Sequence, residues 1–387
     1  MILYISNDNV FLDKAIQNLE RAFPGRNEYL ITNDAPKYIK NISKVVALNP
    51  ESENFKKYIN NLTDYEAVIL HALSKDKVKI VNEASKDVTF VWMFWGADGY
   101  YLPKMQKYLY TSRTKKLLGR NKLEFKKKIY FFIKFVFYPL YYYYYKNKTG
   151  RLPYYGDFKR AIKRINYISP VIPEDYYRIK KNINTKAKLL PFSYGNIEDF
   201  VDLNDEFDNN GKNILVGNSA NPSNNYIDIF EKLRKINLTN RKIIALLSYG
   251  NVDNYAEKIS KIGRDYFSDK YKPIYDFLAI DKYNELINSC NVVILNHMRQ
   301  QGGGLVEIAL CQGKKVFMNK ESTLFQFYKK KNAIIFSTDE ITEISLLNSL
   351  SQEEVNKNKK ILFEYYGKEK VLERTKEFVE TLIRSSW

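Results

Sequence analysis

Cysteine and histidine are the scarcest reactive residues in this chain, with two of each in 387 positions. Cys290 and Cys311 provide no disulfide framework and no metal-ligand spacing. Both stand in apolar or helix-like runs, where an inert buried thiol in a reducing setting is expected. No His/Cys/acid cluster has metal spacing and no DxD pair occurs, so no metal is expected. A P-loop and a GxSxG elbow are missing as well. GxGxxG is absent too, and no acid marks the end of the next strand, so dinucleotide binding is disfavoured and no cofactor is expected. MILYISNDN lacks a basic stretch leading into an apolar run, so no signal peptide is expected.

Aromatic and basic residues, by contrast, are plentiful. The chain is 45% hydrophobic and 15% aromatic, which argues for a folded protein, and its length suits two domains. Its formal net charge is +18. Between Lys104 and Arg151 fourteen Lys and Arg face one acid, Glu124, so this segment holds +13 of that excess. Within it lies IYFFIKFVFYPLYYYYY, Ile129 to Tyr145, interrupted by Lys134 and Pro139. A spanning helix needs about 20 apolar residues without such breaks. The run reads as an interfacial element, with aromatics at headgroup depth and lysines facing an anionic membrane surface. A Tyr-rich core helix with a solvated basic face is the alternative. No recognised nucleic-acid motif accompanies the charge, and no nucleic-acid partner is expected.

Short apolar runs at Ile2–Ser6, Val45–Leu48, Ala67–Leu73 and Val88–Trp95 alternate with polar helix-like segments such as Asn9–Ala22. After the basic segment, RINYISP adds a further strand. The second half repeats the pattern at Asn213–Val216, Lys242–Leu247, Asn291–Leu295, Lys315–Met318 and Ala333–Phe336. Such alternation predicts α/β architecture with parallel sheets. Two Rossmann-like domains facing a central cleft are expected. The first spans 1–190, with 104–151 as its membrane-facing insert. The second spans 213–368, and a C-terminal helix (369–387) is expected to pack back on the first.

Ligands of open α/β sheets bind beyond the carboxyl ends of the strands, and four features sit there. In NHMRQQGGGLVEIAL, Gly302, Gly303 and Gly304 precede a helix, whose free N–H groups and dipole suit an anion. Arg299 adds a charge with bidentate geometry for phosphate. Glu307, one turn further, can accept hydrogen bonds from sugar hydroxyls. A tight turn needing glycine for packing is the competing reading. In LVGNSANPSNN, Gly217, Asn218 and Ser219 follow a strand and can meet a diphosphate or the acceptor, with Ser223 as a candidate helix cap. Turn chemistry alone would also account for them. Asp98 in FWGADGYY, between two glycines, is a candidate general base or a turn-forming Asp. His71, after AVIL, is a catalytic candidate or a structural strand-end histidine. His297 stands beside the glycines, but Arg299 suits an anion better.

Three blocks, WGADGYYL, NILVGNSANPSN and RQQGGGLVEIALCQGKKVFMNKES, resemble in the same order the bacterial 4-acetamido-4,6-dideoxygalactose (Fuc4NAc) transferases of glycosyltransferase family 56. Arg299, Gln300, Gln301, Gly302, Gly304 and Asn319 match that family's last block, with Met318 replacing its Leu. The resemblance implies a GT-B fold whose first domain (1–190) binds the acceptor and whose second (213–368) binds the nucleotide sugar, a dTDP-sugar donor, and Gln300 and Gln301 as further donor contacts. It also implies a polyprenyl-diphosphate-linked saccharide acceptor at the cytoplasmic face of the bacterial inner membrane, in enterobacterial common antigen synthesis. The basic insert, Gly303 and the Val306–Ile308 stretch depart from the pattern, so another sugar and an O-antigen or capsule pathway stay open. A non-catalytic membrane-surface protein that binds sugar or polyanion is the alternative from another class.

Overall fold

The computed structural model describes residues 1–9, 12–32, 45–119, 154–201, 211–238 and 240–384, with the isolated positions 39, 140, 143, 144, 147 and 148. The chain divides into two compact units. The first comprises Met1–Met105, Lys127–Asn196 and Lys368–Trp387, and the second Gln106–Lys126 and Ile197–Gly367.

In the first unit the strands are β1 (Ile2–Ser6), β2 (Asn27–Ile31), β3 (Val45–Ala47), β4 (Ala67–His71), β5 (Phe90–Phe94), β6 (Tyr167–Pro170) and β7 (Lys188–Leu189). They pair in parallel in the order β3-β2-β1-β4-β5-β6-β7. β1, β4 and β5 are buried along their whole length. Continuous apolar runs of this kind are what a parallel sheet covered on both faces requires. The helix Leu12–Ala22 buries Leu12, Ala15, Ile16 and Leu19 against this sheet. The helix Lys368–Arg384 adds Phe378, Val379 and Leu382 to the same core.

The second unit holds β8 (Asn213–Val216), β9 (Ile243–Leu246), β10 (Tyr271–Ile274), β11 (Cys290–Leu295), β12 (Lys315–Met318) and β13 (Phe336–Ser337). Its parallel order is β10-β9-β8-β11-β12-β13. In both sheets the order reverses beside the first strand, at β1/β4 and β8/β11, which is where such folds bind ligands.

Only part of the segment 104–151 clusters with the second unit, Gln106–Lys126, while Lys104, Met105 and the residues from Lys127 on fall in the first. The cause lies in polar contacts with a distant loop. Asn225, in the left-handed region at φ 50°, accepts from the Thr111 backbone N–H (2.9 Å) and donates to the Leu109 carbonyl (3.2 Å). Asp228 accepts from the Thr111 hydroxyl at 2.5 Å. The Tyr-rich run at Ile129–Tyr145 falls almost wholly outside the described residues. Among the described residues no helix is long and apolar enough to cross a membrane.

Candidate functional site

Two polar clusters lie beyond strand ends, one in each unit. In the second unit, the loop after β8 and the loop after β11 meet. Gly217 has φ 68°, and a Cβ there would stand 2.2 Å from the buried Tyr226 hydroxyl, so the fold itself demands glycine. Asn218 is buried and fully engaged. Its Nδ2 donates to the Tyr249 hydroxyl (2.9 Å), while its Oδ1 accepts from Gln301 Nε2 (3.0 Å) and faces His297 Nε2 at 3.0 Å. The Ser219 hydroxyl accepts from the Asn221 N–H (3.3 Å) and Asn224 Nδ2 (3.2 Å). Ser223 does not cap the helix Tyr226–Leu233; Asn225 occupies that position, and the Ser223 hydroxyl donates to Gln301 Oε1 at 2.5 Å. Asn218 and Gln301 therefore bind the two loops to each other through their side chains.

What faces outward is the start of the helix Gly303–Cys311. Gly302 takes φ 71° just before it, a left-handed turn that favours glycine. Gly303 and Gly304 are helical, and no such strain applies to them. A Cβ on Gly303 would make ordinary contacts with Gln300 Nε2 (3.5 Å) and Glu307 Oε1 (3.6 Å). A Cβ on Gly304, which is exposed, would meet nothing within 4 Å. The fold explains one glycine of the three. The first-turn N–H groups of Gly303, Gly304 and Leu305 have no carbonyl one turn behind them within the helix.

Around that opening stand the remaining candidates. The Arg299 guanidinium, 7% exposed, donates from Nη1 to the Gln300 carbonyl at 2.9 Å. Burial, then the Arg299 charge, hold His297 well below its usual proton affinity, and burial raises that of Tyr249, with hydrogen bonds to Ser219 and Asn218 and then the Arg299 charge opposing. Glu307 is buried among apolar neighbours, and burial pushes its carboxyl from 4.5 up to about 7. The site thus joins oriented N–H donors, a cation, an amide and a carboxyl that titrates near neutrality.

In the first unit, His71 ends β4 and stacks on Trp95, with ring centroids 4.9 Å apart. Its Nδ1 lies 3.0 Å from the Tyr4 hydroxyl and 3.4 Å from that of Tyr194. Lys77, buried, donates to the His71 carbonyl (2.6 Å) and to Asn7 Oδ1 (2.7 Å). Burial, then the Lys77 charge, lower the His71 imidazole to about 3, and burial lowers Lys77 to about 8. Asp98 Oδ2 accepts from the Leu73 N–H (2.9 Å) and from the Trp92 indole. Burial raises this carboxyl above its ordinary range, with those N–H donors opposing. Both candidates of this unit are therefore buried near the carboxyl ends of β4 and β5, each in its own set of hydrogen bonds, with the Asp98 charge acting on Lys77 between them. The sequence did not signal their neighbours Tyr4, Tyr194 and Lys77, which lie far apart in the chain.

Two doubly wound parallel sheets of this order are the architecture of GT-B glycosyltransferases. HepE of Anabaena, solved with UDP-glucose, superposes with a TM-score of 0.63 at 10% identity, covering 100% of this chain and 99% of its own. A glycosyltransferase of Rickettsia africae gives 0.64 at 11% identity, over 99% and 98%. Sucrose-phosphate synthase of Thermosynechococcus elongatus gives 0.56 at 11%, over 99% and 94%. Residues 144–373 match the family described as 4-alpha-L-fucosyltransferase, glycosyl transferase group 56. The chain belongs to that family, and it is a glycosyltransferase.

Proposed function

We propose that this enzyme transfers a deoxyamino sugar, Fuc4NAc or a close relative, from a dTDP-sugar to a polyprenyl-diphosphate-linked saccharide. The observation that carries the donor side is the opening at Gly303 and Gly304, where glycine is present without a demand from the fold. A diphosphate seated there would receive backbone N–H groups at the positive end of a helix, with Arg299 alongside. These groups would stabilise the leaving diphosphate as the glycosidic bond breaks, so no metal is required in this scheme. Gln300 and Glu307 would meet sugar hydroxyls. The role of Asn218 and Gln301 is to hold the loops that present the turn. HepE, a protein of like fold, was solved with UDP-glucose, which supports a nucleotide-sugar donor here. The dTDP nucleotide and the sugar rest on the order of the WGAD, VGNS and RQQG blocks.

On the acceptor side Asp98 is the proposed base. Its raised carboxyl is closer to the working range of a proton acceptor than His71, whose basicity burial suppresses. His71 then orients the acceptor hydroxyl. The basic aromatic segment 104–151 would hold the enzyme at the cytoplasmic face of the inner membrane, where a lipid-linked substrate resides. A place in enterobacterial common antigen or O-antigen synthesis follows from that substrate.

Incubation with dTDP- and UDP-sugars and a lipid-linked saccharide should yield a longer lipid-linked product and free nucleoside diphosphate. Arg299→Ala should weaken nucleotide binding by about 1–3 kcal/mol, through loss of a charged hydrogen bond. Binding to anionic vesicles without release of nucleotide from any donor would replace this reading with a non-catalytic one. Unchanged nucleotide affinity in Arg299→Ala would remove Arg299 from the site.

A further inference from the structure

His297 lies two residues beyond β11 and is almost wholly buried. Its Nε2 stands 3.0 Å from Asn218 Oδ1 and 2.8 Å from Asn224 Oδ1. A backbone contact fixes which way Asn224 points, and the hydrogen bonds of Asn218 agree with it. Asn224 Oδ1 also accepts the Asn218 backbone N–H at 2.8 Å, so it must be the oxygen. Asn218 Nδ2 donates to Tyr249 while its Oδ1 accepts from Gln301. Two oxygens facing Nε2 place the proton on that nitrogen. Nδ1 is then unprotonated, and it is buried with no hydrogen-bond partner among the described residues.

A buried acceptor left unsatisfied is destabilising, and an apolar ring of similar size would avoid the cost. Packing alone therefore does not account for an imidazole here; its one N–H does. That N–H joins the loop after β8 to the loop after β11, and the same two amides continue the connection outward. Asn218 receives Gln301, and Asn224 donates to the Ser219 hydroxyl at 3.2 Å and the Asn221 carbonyl at 2.9 Å. Gly302, where the helix begins, has Asn218 against it, 3.4 Å from where a Cβ would stand.

We propose that His297 is a positioning residue for donor binding, a neutral Nε2–H clamp that fixes Asn218 and Asn224 and thereby the glycine turn that receives the diphosphate. This rests on the donor site assigned above to Gly303 and Gly304. The charged group acting on the imidazole is Arg299, and it opposes a second positive charge beside it. An imidazolium would also bring a proton to Nδ1, which has no acceptor among the described residues.

The test compares the parent with His297→Phe, which keeps a ring and lacks the donor, and His297→Gln, which can reach both amide oxygens with N–H groups. Titrating dTDP and UDP into each, His297→Phe should bind about 10-fold more weakly, while His297→Gln stays within about threefold of the parent. Equal affinity in parent and His297→Phe overturns the clamp, as does an equal loss in both variants. Binding of neither nucleotide by the parent overturns the donor site, and the clamp with it. A second readout needs no substitution in the clamp. Only two histidines are present, so His71→Gln assigns their long-range proton–nitrogen NMR signals. His297 should remain in the single Nε2–H tautomer from about pH 5 to 8, and titration within that window overturns the proposal.

Discussion

Gly304→Val is expected to fold at least as stably as the parent chain and to lose about 100-fold or more in donor turnover. Position 304 is helical and exposed, with open space where a side chain would begin. Glycine inside a helix costs about 0.5–1 kcal/mol against alanine, and valine recovers part of that. The melting temperature should hold or rise by a few degrees. The same methyl groups would stand over the first-turn N–H groups offered to the diphosphate. Charge-assisted hydrogen bonds contribute about 1.5–3 kcal/mol each, so losing two exceeds the roughly 2.7 kcal/mol that corresponds to 100-fold. A melting curve and release of nucleoside diphosphate, measured on the same preparation, decide the matter. Full turnover in a well-folded Gly304→Val would return the glycine run to a packing role. Gly302→Val would be uninformative, because φ 71° makes that change a backbone defect whatever binds there.

The contrast between these two glycines marks what was legible in the sequence. RQQGGG between an apolar run and a helix pointed to an anion site, but it could not divide the three glycines into one required by φ and two not. Strands buried on both faces were legible because their runs are apolar over most of their length, as in ILYIS, AVILH and KVFM. β10, YKPI, carries a weak strand signal because Pro273 cannot donate to a ladder, and it is tolerated because β10 lies at the edge of its sheet. β2, NEYLI, begins with two polar residues, which weakens its signal as well. What holds the start of the basic segment, Asn225 and Asp228, stands more than a hundred residues away, so its contact with them leaves no local signal. The same distance in sequence hid the engagement of Asn218 by Gln301 and His297. Hydrogen-bond partners on separate loops leave no periodicity behind, and a local reading sees only that polar residues follow a strand.

Glu307→Gln is expected to stabilise the fold and impair donor binding, with both effects growing as pH rises. The parent carboxyl has a folded pKa of about 7 against 4.5 in an unconstrained chain. Between those values the native state keeps a proton that the unfolded chain has released, so stability falls as pH rises through that interval and levels off above it. Glutamine has no such titration. The variant should match the parent near pH 4 and exceed it by on the order of 2–3 kcal/mol at pH 8, read as a difference in denaturant midpoints. A buried carboxyl retained at that cost is explained if a ligand uses its ionised form. Glu307 Oε1 borders the position where a Cβ on Gly303 would stand, and a carboxylate there can accept hydrogen bonds from a vicinal diol in a way that an amide matches only in part. Nucleotide-sugar affinity of the parent should therefore rise between about pH 6 and 8, as the carboxyl ionises, and the Gln variant should show no such rise. A Glu307→Gln chain that gains stability at pH 8 and binds donor as tightly as the parent would confine Glu307 to the core. One that loses both stability and affinity would mean the carboxyl already has a stabilising partner inside the protein.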